Sequence, residues 1–463
     1  MSTNKNLSRR RFLQTSALLT AGGVLAACAA PAAPSTGGEA AAPAGELIEL
    51  TYMTPDRELG TNVKNIEIEG FNKLMEETSQ PYRVVGVLAP ATDNDIKTKL
   101  TLDAAAGTLS DIFSPLGETL ADFVAAGYIA DLRPYIESWD GWAQYPEVLR
   151  GFSFFGDKLV GLPGGSTFSF FYRKDLLEGA GIPITQPNTW EEFFASCGQI
   201  AEKTDAIPAG IPAATPWGGG TWGEAFKQIW LSFNGSIYED GKWVVHSENL
   251  LKAFQVYETL ATNGWLTVDE LLSPNPWEPI KYDGFPNGTV GIVTGGDWQW
   301  TFDWGPEGAT PIEGLFEKVD RWGFPAEDGK PFTYVDGNAG PVVAATAKSI
   351  EGATEFIKYI AEPSVMCETI KVYLGGAVAR VDFAEQCPEY VDMVNGKMAQ
   401  ASQFFETGRT FNFNQIGSGK IADGVARATE DIITGTQTAE EAMEAFAAAM
   451  TDSLGAEMVT RAS

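Results

Sequence analysis

The sequence predicts an α/β fold with more than one structural unit. Residues 47–53 and 82–88 alternate apolar and polar side chains as half-buried strands do, and residues 63–77 between them carry apolar side chains at helical spacing. Alternation of strands and helices at this spacing predicts a doubly wound, mostly parallel sheet. The 463 residues are too many for one ordinary core and favour two to three units.

The same alternation continues to a third strand. Residues 96–105 have helical spacing, Gly107 ends the helix, and residues 111–113 begin the strand. The loops after the first and third strands, 54–57 and 114–118, follow the carboxyl ends of strands, where open α/β sheets bind ligands. We therefore expect part of a binding edge at these two loops.

A tryptophan-rich stretch at 285–304, FPNGTVGIVTGGDWQWTFDW, predicts a ligand site at another strand end. Residues 289–294 alternate and branch like a short core strand, which Gly295 and Gly296 end. Asp297 then stands where it can cap a following helix. Flat aromatic faces pack against the apolar faces of sugar rings, so the stretch indicates a carbohydrate pocket. Core packing of the same tryptophans is the alternative that the sequence leaves open.

The charge balance and the histidine count exclude several classes of function. The 32 basic and 61 acidic residues give a formal net charge of −29, which argues against nucleic acid and anionic membrane surfaces as partners. A solvated acidic surface that keeps a secreted protein soluble is the simplest explanation of this charge. The single histidine, His246, excludes multi-histidine zinc or iron sites. We expect neither a metal nor a cofactor.

The four cysteines show no CxxC spacing, so neither a zinc motif nor a redox motif is supported. Cys367 and Cys387 could pair in an oxidising compartment, although their spacing does not decide it. Cys197 lies in FFASCGQIA and is expected to be a buried thiol.

Residues 1–27 are expected to be an export signal rather than part of the fold. The letters SRRRFL near its start resemble the twin-arginine motif, and the apolar run that follows is too short to span a bilayer. LAAC at its end resembles a lipobox, in which cleavage precedes the cysteine, so Cys28 is expected to carry lipid. The small and polar residues of 28–45 cannot bury a core and are expected to form a disordered tether.

Three motifs in the middle of the chain carry a family resemblance. They are GDKLVGLP at 156–163, YRKDL at 172–176 and PNTWEEF at 187–193. In this order they resemble the family-one extracellular solute-binding proteins of ABC importers, the maltose-binding type. The usual form of these motifs has a tyrosine where this chain has Val160 and an asparagine where it has Arg173.

Further segments resemble the same family, in the same order, along nearly all of the mature chain. They lie at 104–112, 120–132, 285–298, 344–359 and 435–445. The last of them contains a capping box at Thr438 and Glu441. No single motif is decisive, whereas several in the right order are.

The resemblance implies a two-lobed periplasmic-binding-protein fold of type II, in which crossing segments join two α/β lobes and a ligand binds in the cleft between them. The crossings would fall near 163–166, 321–325 and 361–363. The lobes would be discontinuous, an N-terminal lobe of 46–163 plus 324–361 and a C-terminal lobe of 164–323 plus 362–463. Such a protein is a monomer that binds a sugar or oligosaccharide, closes, and delivers it to the permease subunits of an ABC importer.

The resemblance also implies that cleft residues come from both lobes. Carboxylate, guanidinium and amide groups suit a saccharide because each makes two hydrogen bonds to neighbouring hydroxyls. The first lobe would supply Asp56, Arg57, Ser114, Glu118 and Asn338, and the second Trp217, Trp222, Asp297 and Trp298. Eleven of the 13 tryptophans would lie in the second lobe, which favours stacking roles for the three named here. Arg380 lies where the family's turn often reaches the cleft.

Two other functions remain open from the sequence. The same fold could bind a cation such as a polyamine, with Asp56, Glu118 and Asp297 as counter-charges. An exported glycoside hydrolase would also stack sugars, but no local signature fixes two carboxylates on opposing strand ends. The family often has an aromatic residue near position 420, where this chain has Gly419 and Lys420, so a long linear glucan is disfavoured.

Overall fold

A computed structural model of the chain describes residues 46–54, 58–90, 93–115, 117–373, 377–412 and 415–462. The expected export signal and tether, including Cys28, lie outside these residues. Asp56 and Arg57 lie outside them as well, and so does the side chain of Glu118.

Strands and helices alternate along the described chain. The strands are β1 Ile48–Thr54, β2 Tyr82–Leu88, β3 Ile112–Phe113, β4 Phe154–Phe155, β5 Lys158–Leu159, β6 Gly161–Arg173, β7 Ile207–Gly210, β8 Tyr238–Glu239, β9 Lys242–His246, β10 Val290–Gly296, β11 Val319–Trp322, β12 Tyr334–Val343 and β13 Val459–Arg461. The first nine helices are α1 Glu58–Glu77, α2 Asp93–Ala106, α3 Gly117–Ala125, α4 Arg133–Ile136, α5 Glu147–Arg150, α6 Lys174–Gly179, α7 Trp190–Lys203, α8 Lys227–Ser232 and α9 Glu248–Thr262. The later helices are α10 Val268–Leu271, α11 Phe285–Asn287, α12 Leu315–Lys318, α13 Ile350–Ile360, α14 Pro363–Tyr373, α15 Phe383–Gln386, α16 Lys397–Thr407, α17 Ser418–Ile433 and α18 Ala439–Leu454.

Two π-helical turns, Thr221–Phe226 and Glu278–Gly284, interrupt this pattern. Short 3-10 helices occur at Asp140–Gln144, Gly151–Ser153, Thr215–Trp217, Asp297–Trp300, Pro388–Val391 and Met393–Gly396. None of the helices that the structure describes combines the length and the apolar character that a membrane span requires.

The main sheet is mixed rather than mostly parallel. Its strand order is β2-β1-β3-β12-β6-β10-β7, and β11 also pairs with β6. β1 pairs in parallel with β2 and β3, and β10 pairs in parallel with β7. At the centre, β12 and β6 run antiparallel to their neighbours. The expectation of a mostly parallel sheet is therefore wrong at the centre, because two long strands run in opposite directions between the two parallel parts.

These two strands, β6 and β12, are called the crossing strands here. Their pairing begins with Tyr334 opposite Phe168. It ends with Val342 opposite Gly161, next to the pairing of β12 with β3. The carboxyl half of β6 pairs with β10 and β11 instead. Each crossing strand therefore starts in one part of the sheet and finishes in the other.

Apolar side chains form two cores that share the crossing strands. In the first core, Tyr52 packs with Phe356 in a cluster on one face of the sheet. Met53, the next residue of β1, packs with Leu120 in a cluster on the opposite face, because successive side chains of a strand alternate. The second core surrounds β10 and the carboxyl half of β6, including Phe170. A sheet covered on both faces in each core gives two α/β lobes.

From the membership of the two cores, we propose where the chain passes between lobes. Leu162 packs in the first core and Phe168 in the second, so one crossing lies in β6, the strand that contains the expected crossing at 163–166. Ala361 packs in the first core and Cys367 in the second. Another crossing therefore lies between α13 and α14.

The same reasoning places the remaining proposed crossing later in the chain than 321–325, the position that the resemblance implies. Trp322 and Phe324 are buried in the second core. Tyr334 still belongs to that core, and Val335 is the first residue to pack in the other. We therefore propose that this crossing lies in β12 and that the lobes comprise 46–165 plus 335–361 and 166–334 plus 362–462.

Truncation of one ring in each core tests whether the cores are independent. Phe170 stacks on Phe193 with ring centroids 4.6 Å apart, and Phe356 lies 5.0 Å from the ring of Tyr52. Phe170→Ala and Phe356→Ala should each lower the free energy of unfolding by about 3–5 kcal/mol. Because the sites share no neighbours, the double variant should lose the sum to within about 0.5 kcal/mol in urea denaturation. A larger coupling would contradict the division into two cores.

Candidate functional site

The turn after β10 holds a buried carboxylate between three segments of the chain. Asp297 begins the 3-10 helix that follows β10 and is only 1% exposed. One of its carboxylate oxygens accepts from the N–H of Thr167 at 2.9 Å and the other from the N–H of Ala377 at 2.5 Å. The expectation that Asp297 caps a helix is wrong, because the N-cap of this 3-10 helix is Gly296 and the two carboxylate oxygens of Asp297 accept from main-chain N–H groups of other segments. Its carboxylate instead holds the crossing strand β6 through the N–H of Thr167, and Asp297 with its two main-chain hydrogen bonds is called the brace here.

Burial sets the electrostatics around this carboxylate. Removal from water raises the pKa of Asp297 above its ordinary value, while the two N–H donors and the charge of Arg321 oppose that rise. Arg321 on β11 lies over the ring of Phe404 at 4.6 Å. Burial lowers the pKa of Arg321 to about 10, so the guanidinium stays charged at neutral pH. A half-buried positive charge thus acts on the buried carboxylate.

Trp298 is half-buried beside this brace. Its ring meets the ring of Phe168 edge-on, with centroids 5.2 Å apart. A Cβ at Gly296 would lie 1.9 Å from the indole, so the ring lies across the backbone of that glycine and no larger residue fits there. The ring is therefore held in place on two sides, while the rest of it stays accessible.

Trp217 and Trp222 are far more buried than Trp298. Trp217 is 5% exposed and lies under the ammonium group of Lys281 at 5.3 Å. Trp222 is 1% exposed and belongs to the second core. In this conformation neither ring presents a free face, which favours core packing, the alternative that the sequence leaves open.

Two buried lysines, which sequence reasoning did not select, complete this side of the second lobe. Lys227 follows the first π-helical turn and donates to both carboxylate oxygens of Asp336 at 2.9 Å. Its ammonium group also lies 5.2 Å from the ring of Tyr334. Lys281, on the second π-helical turn, is paired with Glu224 on the first. The available sequence signal is a lysine inside an apolar run, as in AFKQIW and PIKY, since an unpaired lysine is rarely buried.

One face of the crossing strands collects polar side chains close to Trp298. Because alternate residues of a strand share a face, this crossing face consists of Gly164, Ser166, Phe168, Tyr334, Asp336 and Asn338. Asn338 is exposed, and its Oδ1 lies 2.5 Å from where a Cβ of Gly164 would be. Ser114 is exposed just beyond the carboxyl end of β3, the strand next to β12. The structure thus brings Asp297, Trp298 and Asn338 to the crossing strands, with Ser114 one strand away.

Arg380 lies elsewhere and is fully engaged. Two of its nitrogens donate to the carboxylate of Asp382 at 2.9 and 2.7 Å, and the third donates to the carbonyl oxygen of Ala361 at 3.1 Å. The guanidinium lies against the rings of Trp139 and Tyr145 in the first lobe. With 7% exposure and every nitrogen of its guanidinium engaged, Arg380 joins three segments of the protein in this structure.

The lobes also touch away from the crossing strands. The N–H of Gly417, which precedes α17 of the second lobe, donates to the carboxylate of Asp122 on α3 of the first at 3.0 Å. Lys97 on α2 pairs with Asp423 on α17, also at 3.0 Å. These are called the closing contacts here. The lobes are thus connected both by the crossing strands and by the closing contacts.

The raised pKa of Asp297 predicts a pH dependence of stability with a definite sign. Between pH 3.8, the ordinary pKa of an aspartate, and the raised pKa of Asp297, the folded state binds more protons than the unfolded state. The contribution of Asp297 to the free energy of unfolding is therefore largest below pH 3.8 and falls as the pH rises through that window. The difference in free energy of unfolding between the wild type and Asp297→Asn should therefore fall from pH 3 to 6 in urea denaturation. Asp452→Asn, at an exposed position, is the control for the chemical change. A difference that rises with pH would contradict the assignment.

Comparisons with known proteins agree with this architecture. Residues 71–393 match the model of a family described as bacterial extracellular solute-binding protein. The GacH receptor of Streptomyces glaucescens GLA.O, solved unliganded and with acarbose, is 17% identical with a TM-score of 0.71 and covers 88% of this chain and 98% of its own. T. maritima MalE3 bound to maltose is 18% identical with a TM-score of 0.71, and the match covers 88% of this chain and 99% of the MalE3 chain. A solute-binding protein of an ABC transporter from Thermotoga lettingae TMO, bound with α-D-tagatose, is 20% identical with a TM-score of 0.70. This match covers 88% of this chain and 99% of the Thermotoga chain.

The chain matches no curated protein in sequence. The structural likeness nevertheless confirms the expected two-lobed, maltose-binding-like fold, since it extends over most of both chains. The family match covers well over half of the sequence, from the first helix to the segment that precedes α16. The chain therefore belongs to the bacterial extracellular solute-binding proteins.

Proposed function

We propose that this protein binds a sugar or oligosaccharide between its lobes and delivers it to the permease of an ABC importer. The observation that carries the proposal is the partly exposed indole of Trp298, packed edge-on against Phe168 of the crossing face. An aromatic face beside hydrogen-bonding groups is the chemistry that recognises a sugar ring. Structures of acarbose-, maltose- and tagatose-bound proteins with the same fold support this choice of ligand class.

In the mechanism that we propose, the ligand selects the closed arrangement of the lobes. The apolar face of a sugar ring packs on Trp298, and its hydroxyls bond to polar groups such as Asn338 and Ser114. The lobes approach one another only when both can gain contacts, so the ligand shifts the population toward the closed form. The permease then recognises a surface that exists only when the lobes are closed.

The proposal includes export and attachment to the membrane. The family is extracellular, and the SRRRFL and LAAC motifs support export followed by lipidation of Cys28. The lipid would hold the lobes at the outer face of the cytoplasmic membrane through the tether at 28–45. We propose that the protein works there as a monomer.

The charges of the described cleft favour a neutral ligand over a cation. Asp297 already accepts two main-chain hydrogen bonds, Asp336 is paired with Lys227, and Glu224 is paired with Lys281. A polyamine site needs several carboxylates that are free to converge on the ligand. The same pairing leaves these three carboxylates without the freedom of an acid and base pair, so we propose binding without catalysis.

A thermal-shift screen against mono-, di- and oligosaccharides, with polyamines as the contrast set, tests the ligand class. A sugar that binds only the folded protein should raise the melting temperature and should not be consumed. Trp298→Ala should weaken its affinity by about thirtyfold, the effect of losing an aromatic contact of about 2 kcal/mol. Trp265→Ala, at another half-buried tryptophan of the second lobe, packed on α7, is the matched control and should keep the affinity. A response to polyamines alone, or loss of the sugar, would contradict the proposal.

Removal of a closing contact tests the role of lobe closure. Asp122→Asn weakens the hydrogen bond from Gly417, which joins the two lobes, so it should reduce ligand affinity by about fivefold. This factor corresponds to about 1 kcal/mol, the typical cost of losing a helix-capping side chain. Small-angle scattering should show a larger radius of gyration for the ligand-free variant than for the wild type. Asp103→Asn is the matched control, because its partner Lys99 lies on the same helix. Equal affinities and radii for Asp122→Asn and the wild type would exclude a closing role for this contact.

A further inference from the structure

Residues 377–387, called the strap here, begin on the second lobe. The N–H of Ala377 donates to the carboxylate of Asp297 at 2.5 Å. The N–H of Val378 donates to the hydroxyls of Ser402 at 3.0 Å and Tyr390 at 3.1 Å. Val378 also packs in the second core. The amino end of the strap is thus fixed to the second lobe by hydrogen bonds from two successive residues.

The middle of the strap lies on the first lobe. Ala379 packs in the first core, and the N–H of Val381 donates to the carbonyl oxygen of Gln144 at 2.9 Å. Arg380 lies against Trp139 and Tyr145, as described above. The strap therefore leaves one lobe, docks on the other and returns at α15.

A disulfide closes the loop that contains the strap. Cys367 on α14 is bonded to Cys387 after α15, 20 residues later, with Cα atoms 5.7 Å apart. The pairing that the sequence left open is thus present, and Cys197 is the buried free thiol that the sequence predicts. A covalent closure removes most of the conformations that an open loop of this length would sample. The strap therefore has little freedom to lift away from its docking points.

Packing alone does not hold the strap. A cavity of about 310 Å³ separates part of it from the crossing strands, and Ala377 and Ala379 line this cavity together with Pro163, Pro341 and Ala361. Atoms that face a cavity lack part of the contact energy of a packed core. The position of the strap therefore depends on its hydrogen bonds and on the disulfide as well as on the packing of Val378 and Ala379.

The bond from Ala377 connects the strap to the ring that faces the ligand. Asp297 holds its orientation through two main-chain donors, and one of them belongs to the strap. Trp298 is the next residue, and its ring lies across the backbone just before Asp297. Loss of the donor at Ala377 would leave a buried carboxylate oxygen without its partner, which favours a shift of the whole turn.

We propose that the disulfide-closed strap is a positioning element for Trp298, and that Cys367 and Cys387 act on ligand binding through Ala377 and Asp297. The proposal deepens the binding function proposed above and rests on it, since it assumes that Trp298 touches the ligand. Neither cysteine meets the ligand. Their effect is on the position of the indole.

The test compares the wild type with Cys367→Ser/Cys387→Ser, Asp297→Asn and the variant that combines all three substitutions. Hydrogen–deuterium exchange is followed by mass spectrometry on the peptides that contain 297–304 and 377–387. Maltose, or the sugar found in the thermal-shift screen, is the probe for affinity, measured well below the melting temperature. Cys197→Ser, which removes a buried thiol of the second core that lies outside the loop, is the matched control.

Opening the disulfide should speed exchange in both peptides and weaken the affinity by about fivefold, the effect of one hydrogen bond. Asp297→Asn should have a similar effect, and the combined variant should show no further loss, because residues that act along one path are not additive. Cys197→Ser should lower the melting temperature and leave affinity and exchange of 297–304 unchanged. Faster exchange in 377–387 with an unchanged 297–304 peptide would overturn the proposal, and so would additive losses of affinity.

Two further points keep the test decisive. If the wild type binds no sugar, the binding function fails, while the exchange of 297–304 still decides whether the strap positions Trp298. If the double serine variant does not fold, Ala377→Pro replaces it, because proline removes the N–H that donates to Asp297 and leaves both cysteines in place. The same rise in exchange is expected, and an unchanged 297–304 peptide would again overturn the proposal.

Discussion

The antiparallel pairing of β6 with β12 is the constraint on which the rest of the structure depends. Both strands contribute to both cores, so their register fixes how the two lobes meet. Aromatic rings lie directly on the backbone of this strand pair. A Cβ at Gly337 would lie 2.3 Å from the ring of Phe152, and a Cβ at Gly165 would lie 3.0 Å from the ring of Phe405. Glycine at these positions lets aromatic side chains pack directly on the backbone. The crossing face and the brace at Asp297 both take their positions from this pair.

Buried charges then fix the side chains around the crossing face. Lys227 and Asp336 form one buried ion pair, and Asp297 lies between main-chain donors with Arg321 nearby. Burying such groups costs so much desolvation free energy that well-packed apolar residues are often equally stabilising, whereas removing one partner costs about 3–5 kcal/mol. Their contribution is therefore geometric more than energetic. They hold strands, turn and strap in a single arrangement beside Trp298.

The sequence predicts local structure and family well and long-range contacts poorly. The strand Tyr82–Leu88 and the capping box of α18 agree with the prediction, because alternation and capping depend on neighbouring residues. The brace at Asp297 does not follow from the sequence, since its partners are 130 and 80 residues away. Trp298 and Trp222 look equivalent in sequence, but only the first keeps an exposed face. Which side of a helix or turn becomes buried is decided by the other lobe and by the crossing strands.

Ion pairs that are largely withdrawn from solvent give this strongly acidic protein two electrostatic regimes. The net charge of −29 lies mostly on solvated side chains, where counterions screen interactions over about 8–10 Å at moderate ionic strength. The pairs of Lys227 with Asp336 and of Lys281 with Glu224 are withdrawn from solvent and are screened much less. Salt therefore modulates encounters of the outer surface with other charged molecules more strongly than it modulates these two pairs. Under the proposed function, ligand recognition beside these pairs would vary little with the ionic strength of the outside medium.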